Sequence, residues 1–279
     1  MEIVSSKSAS NVGAPQEPPS FVVASRAMTE LLVMARSAAE SSAPILITGE
    51  SGVGKDLVAR YIHDQSRRRL APFVAVNCAG LIEARLESEL FGHVHGHMTD
   101  VFAERRGKVR LAHRGTLFLD QVGDMIRRMQ AWLLRFLESG EIQTVGSETS
   151  QARVDVRVVA ATNRNLNELV AAGQFREDLL YRLRVIHLHV PPLRERAEDI
   201  HGLMRHFLAR FGRELSFTDG AFRALLQYSW PGNVRELQNV VEQLVWLSAK
   251  EVVGVEQLPV SMRSEPGLLD APRSTSLPH

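Results

Sequence analysis

The sequence lacks several features, and each absence excludes a class of protein. A single cysteine, Cys78, occurs among 279 residues, which excludes an internal disulfide and suits a reducing compartment. No apolar run approaches the ~20 residues that a bilayer-spanning helix needs, and the polar amino-terminal stretch has no signal-peptide core. We therefore expect a cytoplasmic protein.

The charge balance also lacks a dominant sign. Thirty-three Lys and Arg residues face 32 Asp and Glu residues, for a formal net charge of +1. Nothing in this balance requires a nucleic acid or a membrane as partner. Apolar residues make up 44% of the chain and charged residues 23%, which is typical of a globular protein that can bury a core.

One glycine-rich stretch follows a short apolar run, Ile45–Ile47, and precedes an amphipathic segment that begins at Leu57. Strand, glycine loop and helix in this order are typical of a phosphate-binding loop. Glycines let backbone N–H groups turn towards an anion, and the lysine can reach its outer phosphates. The alternative is a glycine-rich turn that contains a lysine by chance. The predicted nucleotide-binding residues are Gly49, Glu50, Ser51, Gly52, Val53, Gly54, Lys55 and Asp56.

The remaining pattern predicts an α/β protein, with a parallel sheet flanked by helices and a small all-helical domain after it. Buried strands are predicted at 72–77, 115–120, 156–161 and 185–190, and helices at 197–211, 218–228 and 233–248. We expect a flexible arm at 1–20, a nucleotide-binding subdomain at 21–193, a helical lid at 194–250 and a mostly disordered tail at 251–279.

Polar residues follow two of the buried strands. Asp120 ends the strand at 115–120, beside the glycine loop, where a carboxylate can hold Mg²⁺ directly or through water. Thr162 and Asn163 reach the same edge of the sheet after the next strand.

Three histidines alternate along the chain, His93, His95 and His97, and in an extended segment they would share one side. No cysteine or acidic cluster nearby completes a zinc site. Loop histidines are the favoured interpretation, and a metal site is the alternative.

Eight motifs now stand in order, and together they resemble the central AAA+ ATPase domain of bacterial activators that act on RNA polymerase carrying sigma-54. The resemblance covers residues 21–250. The motifs are GESGVGKD, VNCAGL, ESELFGH, GTLFLDQVG, RVVAATNRNL, FREDLLYRL, PPLRER and WPGNVREL.

The resemblance implies ATP and Mg²⁺ as cofactors and a ring, typically a hexamer, as the assembly. It implies that Asn77 reports the nucleotide state, that Thr162 and Asn163 form a first sensor, and that Arg235 is a second sensor on the lid. Arg176 and Arg182 match fingers that act on a neighbouring subunit's nucleotide, a role that suits the permanent, forked charge of arginine.

Two positions depart from the family pattern. Gln121 follows Asp120 where the family has a catalytic Glu, and losing a general base typically costs roughly 10²–10⁴ in rate. A Gln can still orient a water molecule. The family's sigma-54 contact loop, GAFTGA, is replaced by a segment that keeps the threonine but gains a charge. That segment is Gly96, His97, Met98, Thr99, Asp100 and Val101.

From this sequence we expect no receiver domain before the core and no helix-turn-helix DNA reader after residue 250. We expect an ATP-binding regulator whose hydrolysis is weak and which modulates an intact relative in a mixed ring. The alternative is an active ATPase that remodels sigma-54 RNA polymerase from solution without binding DNA. A decayed copy without function also stays open, whereas an unfoldase or helicase loader is disfavoured by PPLRER and WPGNVREL.

Overall fold

The computed structural model describes residues 21–79, 83–93, 105–143, 151–248 and 251–263. The helices are α1 (Arg26–Ala39), α2 (Lys55–Asp64), α3 (Glu83–Phe91), α4 (Lys108–Leu111), α5 (Arg127–Ser139), α6 (Leu166–Ala171), α7 (Glu177–Leu183), α8 (Glu198–Arg210), α9 (Asp219–Gln227) and α10 (Asn233–Leu247). The strands are β1 (Ile45–Thr48), β2 (Phe73–Asn77), β3 (Gly92–His93), β4 (Arg105–Arg106), β5 (Thr116–Asp120), β6 (Glu141–Gln143), β7 (Gln151–Arg153), β8 (Arg157–Thr162), β9 (Ile186–His189), β10 (Ser216–Phe217) and β11 (Val252–Val253).

Five strands form a parallel sheet in the order β2-β5-β8-β1-β9. Asn77 pairs with Asp120, and Thr48 pairs with Thr162, so the carboxyl ends of four strands meet at one edge. Ligands of open α/β sheets bind outside this edge. The predicted fold class, a parallel sheet flanked by helices, is confirmed.

Alternate residues of the central strands pack against different helices. Ile45 and Ile47 of β1 join the core formed with α1 and α2, whereas Leu46 joins the core on the opposite face with α5, α6 and α7. Because side chains alternate across a strand, a sheet covered on both faces needs apolar residues at every position. This explains why β1 and β8 read as continuous apolar runs.

The lid is a second core built from α8, α9 and α10. Trp230 lies at its centre, fully buried, and its indole N–H donates to the carbonyl of Leu225 at 2.9 Å. The core also takes in Val253, Leu258 and Met262, and β11 pairs with β10. The prediction of a mostly disordered tail from residue 251 is therefore wrong for residues 251–263, whose apolar side chains complete the lid.

One buried carboxylate fastens the beginning of α1 to the lid. Asp199, in the first turn of α8, accepts hydrogen bonds from the N–H groups of Ala24 and Ser25 at 2.6 and 2.7 Å, and from the Ser25 hydroxyl at 2.9 Å. Arg196, 3.9 Å from this carboxylate, donates to the carbonyl of Val53 at 2.8 Å. The lid is thereby joined to the start of α1 and to the loop after β1.

Strands β6 and β7 pair antiparallel with each other, outside the five-stranded sheet. Helix α6 was not predicted. The arm at 1–20, the segment 264–279 and His95 lie outside the described residues. None of the helices in the described ranges has the length and apolarity that a membrane crossing needs.

Candidate nucleotide-binding site

The loop between β1 and α2 has the backbone that its glycines permit. Gly49, Gly52 and Gly54 have φ values of 149°, 79° and 97°, which side chains rarely tolerate. A Cβ on Gly52 would lie 2.3 Å from the carbonyl oxygen of Gly232, so the loop also touches the lid closely. Helix α2 begins at Lys55, and its amino-terminal end therefore lies at the end of the loop, where it favours an anion.

Lys55 lies across the loop rather than out in solvent. Its ammonium donates to the carbonyls of Gly49 and Glu50, both at 2.8 Å. Burial lowers its pKa, and the nearby carboxylate of Asp120 acts in the opposite direction. A phosphate that enters the loop would meet a charge already held in place by two backbone oxygens.

Asp120 and Gln121 place one carboxylate and one neutral amide in the same cleft. One carboxylate oxygen of Asp120 accepts the N–H of Gln121 at 2.9 Å. Burial raises the pKa of Asp120, and that hydrogen bond and Lys55 oppose the rise. Gln121 has a left-handed backbone, with φ 57° and ψ 45°, and it lines the cleft with a neutral amide side chain.

The two residues expected at the end of β8 take different places. Thr162 is fully buried, and its hydroxyl accepts the N–H of Arg164 at 3.0 Å. Asn163 lines the cleft beside Asp120 and Gln121. The structure therefore places Asn163 where it can contact a ligand, while the Thr162 hydroxyl stabilises the turn next to it.

Asn77 lies next to Asp120 in the sheet but uses its side chain locally. Its carboxamide oxygen accepts the N–H of Ala79 at 2.8 Å, and the N–H of Cys78 donates to the carbonyl of Asp120 at 2.8 Å. The turn that the Asn77 side chain stabilises is therefore hydrogen-bonded, through Cys78, to the end of the strand that carries Asp120. It does not line the cleft in this conformation.

Arg235 closes the cleft from the lid. Its N–H donates to the carbonyl of Gly52 at 3.3 Å, and its guanidinium donates to the hydroxyl of Ser51 at 3.1 Å. The cleft, of ≈ 1200 Å³, also includes Lys55, Asp56, Asp120 and Asn163. The structure therefore brings most of the predicted binding residues, from motifs far apart in the sequence, around one space that can hold a nucleotide.

Two family models match this chain, the Sigma-54 interaction domain over residues 21–189 and the AAA+ ATPase lid domain over residues 194–273. The chain belongs to the sigma-54 interaction domain family. It is 50% identical over 242 residues to the alginate biosynthesis transcriptional regulatory protein AlgB of Pseudomonas aeruginosa, a match that covers 85% of this chain and 54% of AlgB. The regulatory protein AtoC of Escherichia coli is 46% identical over 244 residues, 86% of this chain and 53% of AtoC.

A solved structure shares both the fold and substantial sequence. The crystal structure of NtrX from Brucella abortus in complex with ATP has a TM-score of 0.81 and 38% identity, and covers 88% of this chain and 58% of the NtrX chain. A second NtrX structure is a complex with ADP, with a TM-score of 0.80. This sigma-54 interaction domain and its lid thus span about half the length of the curated relatives.

The two finger candidates of this sigma-54 interaction domain lie away from the cleft of their own subunit. Arg176 forms two hydrogen bonds with the carboxylate of Asp178, at 3.0 and 2.7 Å, and this pairing lowers the pKa of Asp178. Arg182 donates to the carbonyl of Leu137 at 3.4 Å. Neither arginine lines the cleft, so neither can touch a nucleotide bound by the same chain in this conformation.

Several cleft residues of this sigma-54 interaction domain were not predicted. Arg60 of α2, His206 and Arg210 of α8, and Gln238 of α10 line the cleft together with Arg235. His206 and Arg210 are four residues apart on α8, and Gln238 is three residues after Arg235 on α10, so each pair shares a helix face. That spacing was visible in the sequence, but which helix face meets the cleft was not.

Glu50 has a role that its position in the glycine loop did not reveal. Its carboxylate accepts two hydrogen bonds from Arg194, at 2.9 and 2.7 Å, and one from the Asn233 amide at 3.1 Å. Arg194, and then Asn233, lower the pKa of Glu50 to about 2. Only its backbone carbonyl faces Lys55, whereas its side chain joins the loop to the lid.

The remaining predicted features cannot be placed. The contact segment Gly96 to Val101 lies outside the described residues, together with His95. Across the part of the chain that is described, no group of three His, Cys, Asp or Glu residues is arranged to hold a metal ion.

Proposed function

We propose that this domain binds ATP and Mg²⁺ in the cleft between the sheet and the lid, and that it hydrolyses ATP only weakly. The observation that carries the proposal is that Asp120, a carboxylate that can hold Mg²⁺, lies at the cleft beside Gln121, whose side chain is an amide and not a base. ATP is the nucleotide named in the complex of NtrX, 38% identical to this chain. We expect weak hydrolysis because the Gln121 amide cannot accept a proton from water as a carboxylate can.

The donors around Asp120 fit magnesium. Mg²⁺ is usually held by one or two carboxylates together with phosphate oxygens and water. Asp120 has one oxygen engaged with the Gln121 N–H and a second that can serve a metal or its water. When bound, the ion would neutralise phosphate charge. Lys55 and Arg235 add positive charge at two other sides of the same cleft.

The amide of Gln121 limits the step after binding. A carboxylate can accept a proton from the attacking water, whereas an amide can only orient that water by hydrogen bonding. Asn163 lies close by on the cleft wall and is likewise an amide. ATP binding is therefore expected to be normal and turnover slow.

Arg176 and Arg182 support a trans arrangement. Both lie outside the cleft of their own chain, Arg182 exposed and Arg176 partly exposed, and both are arginines of the type that stabilises a transferring phosphate. In a ring they would act on a neighbour's nucleotide. A subunit with a weak site of its own could then still activate an intact relative beside it, which is the mixed-ring role proposed here.

The proposed partner is sigma-54 RNA polymerase, reached through that ring. The contact segment Gly96 to Val101 differs from the family pattern by a Met for the aromatic residue and by Asp100 for a glycine. A mixed ring accommodates this difference, because the relative would supply intact contact loops. The alternative, an active ATPase that works on sigma-54 polymerase from solution, requires both Gln121 and Met98 to be tolerated.

Purified protein tests the proposal in two assays. Titration with a fluorescent ATP analogue in the presence of Mg²⁺ should show binding, and Lys55→Ala should weaken it by at least about tenfold. Native mass spectrometry of a mixture with a full-length relative that keeps the Asp-Glu pair should show mixed rings under ATP. Absence of ATP binding by the wild-type protein would refute the proposed function, and separate homomeric rings would refute the mixed-ring role while leaving ATP binding intact.

A further inference from the structure

Asn233 lies at the junction of the lid and the glycine loop, in a backbone conformation that few residues tolerate. It is fully buried and has φ 53°, and Trp230, three residues earlier, has φ 50°. Asparagine is among the residues that accept this left-handed region most readily. A buried residue kept in such a conformation needs strong contacts to hold it there.

The carboxamide of Asn233 supplies those contacts. Its oxygen accepts the N–H of Leu193 at 2.7 Å, at the start of the lid. Its amide donates to the carbonyl of Ser51 and to the carboxylate of Glu50, both at 3.1 Å. One buried side chain therefore joins two separate parts of the lid to two successive residues of the glycine loop.

Glu50 strengthens the same junction with a charge. Arg194 binds both of its carboxylate oxygens, and bidentate pairs of this kind fix direction as well as distance. Leu193, next to Arg194, is bound by Asn233. The loop residue Glu50 is thus held from two sides of the lid, and the junction has little room to rotate.

This junction determines where Arg235 lies. Arg235 is two residues after Asn233, and its N–H donates to Gly52 while its guanidinium reaches Ser51. The close approach of Gly52 to Gly232 leaves no space for the turn to shift towards the loop. A displacement of Asn233 would carry the Arg235 guanidinium away from the phosphates.

We propose that Glu50 and Asn233 are positioning residues, which hold Arg235 over the outer phosphates and so allow the site to distinguish ATP from ADP. The inference rests on the proposed nucleotide binding and names how that site recognises the outer phosphate. Neither residue touches the nucleotide with its side chain; both act through Arg235 and the loop.

A reciprocal exchange separates positioning from simple packing. Asn233→Asp keeps the size of the side chain and its oxygen towards Leu193, but sets a carboxylate against Glu50. Adding Glu50→Gln places an amide donor opposite that carboxylate, so the hydrogen bond between positions 50 and 233 re-forms with its direction reversed. The hydrogen bond to the Ser51 carbonyl and one of the two Arg194 hydrogen bonds are not restored, so the recovery is partial. Side-chain size is nearly unchanged throughout, so this recovery reports the hydrogen bond between the two positions.

The experiment measures the dissociation constants of fluorescent ATP and ADP analogues with Mg²⁺ for the wild type, Asn233→Asp, Glu50→Gln, the double variant and Arg235→Ala. Asn233→Asp is expected to lower the preference for ATP over ADP by about tenfold, the scale of one charged hydrogen bond, towards that of Arg235→Ala. The double variant should recover part of the preference. If Asn233→Asp folds poorly, Asn233→Gly takes its place in the experiment. Glycine accepts the left-handed backbone and removes the carboxamide, so the same loss of preference is expected.

Two outcomes would overturn the inference although ATP binds. Equal losses of ATP and ADP affinity in Asn233→Asp would show a structural effect only, and so would a double variant no better than the single one. If the wild type binds neither nucleotide, the proposed function fails first. Amide hydrogen exchange at Leu193 and Arg235 then judges the junction by itself: faster exchange in Asn233→Asp supports it, and unchanged exchange refutes it.

Discussion

Replacing Gln121 by Glu should convert a slow site into a fast one. Gln121 directly follows Asp120 and lines the cleft that also contains Lys55 and Asn163. The variant supplies the missing base at the same place, and general-base catalysis is typically worth roughly 10²–10⁴ in rate. That range corresponds to about 3–5 kcal/mol off the activation barrier. We expect turnover to rise by this factor under conditions that allow ring formation.

The structure also indicates that Gln121→Glu should leave the fold and the binding of ATP nearly unchanged. Gln and Glu have nearly the same shape and no β-branch, so the left-handed backbone at position 121 should cost both residues about the same. The new carboxylate lies near Asp120, but Lys55 and Arg235 supply positive charge on the opposite wall. Melting temperature and ATP affinity should therefore move little, while the rate moves by orders of magnitude.

Single-turnover release of phosphate, followed beside a titration with a fluorescent ATP analogue, measures both quantities. Gln121→Ala is the matched control, because it removes the amide without adding a base and should not gain rate. A wild-type turnover within about threefold of that of Gln121→Glu would refute the reasoning, since it would show that the amide already does the work of the carboxylate.

Three further predictions concern the loop, the junction and the lid. Lys55→Ala should weaken ATP binding by at least about tenfold, because a charged hydrogen bond is typically worth about 1.5–3 kcal/mol. The melting temperature should stay within a few degrees of the wild-type value. Titration and thermal melting measure the two effects, and an unchanged ATP affinity would exclude Lys55 from the site. The pKa of Glu50 is lowered from 4.5 to about 2, so its contribution to stability is present above pH 4.5 and is lost as pH falls towards 2. Urea unfolding at pH 6, 4 and 3 should show that the free energy of unfolding falls more steeply for the wild type than for Glu50→Gln. Parallel decreases in the two proteins would contradict this. Trp230→Ala should lower the free energy of unfolding by about 3–5 kcal/mol, because it opens a cavity in the lid core. Denaturant unfolding measures the change. The control is Trp246→Ala, at an exposed position of α10, which should lose far less stability.

Local pattern was enough to predict the sheet and the glycine loop. The strands around Ile45 and Val159 have apolar runs without alternation, Ile45–Ile47 and residues 158–161, as a sheet covered on both faces requires. The loop could be located because its glycines, lysine and helix start are neighbours in sequence. Both features depend on residues that are close along the chain.

Other features depend on contacts between distant segments, and sequence reasoning missed them. Glu50 was assigned to the nucleotide from its place in the motif, yet its carboxylate binds Arg194, 144 residues away. The lid contacts of Val253 were missed because a two-residue strand carries no periodic signal. Helix α6, with six residues, is too short for its spacing to stand out.

The buried carboxylate of Asp199 has a mechanical consequence. The lid leaves the sheet covalently through the segment after β9, and Asp199 makes a second, non-covalent attachment at Ala24 and Ser25. The contacts of Arg194 and Asn233 with the glycine loop make a third attachment beside these two. A body held at two points can turn about the line that joins them, whereas a third attachment off that line prevents the rotation. The lid should therefore turn about the line through its first two attachments only after its contacts with the glycine loop are released.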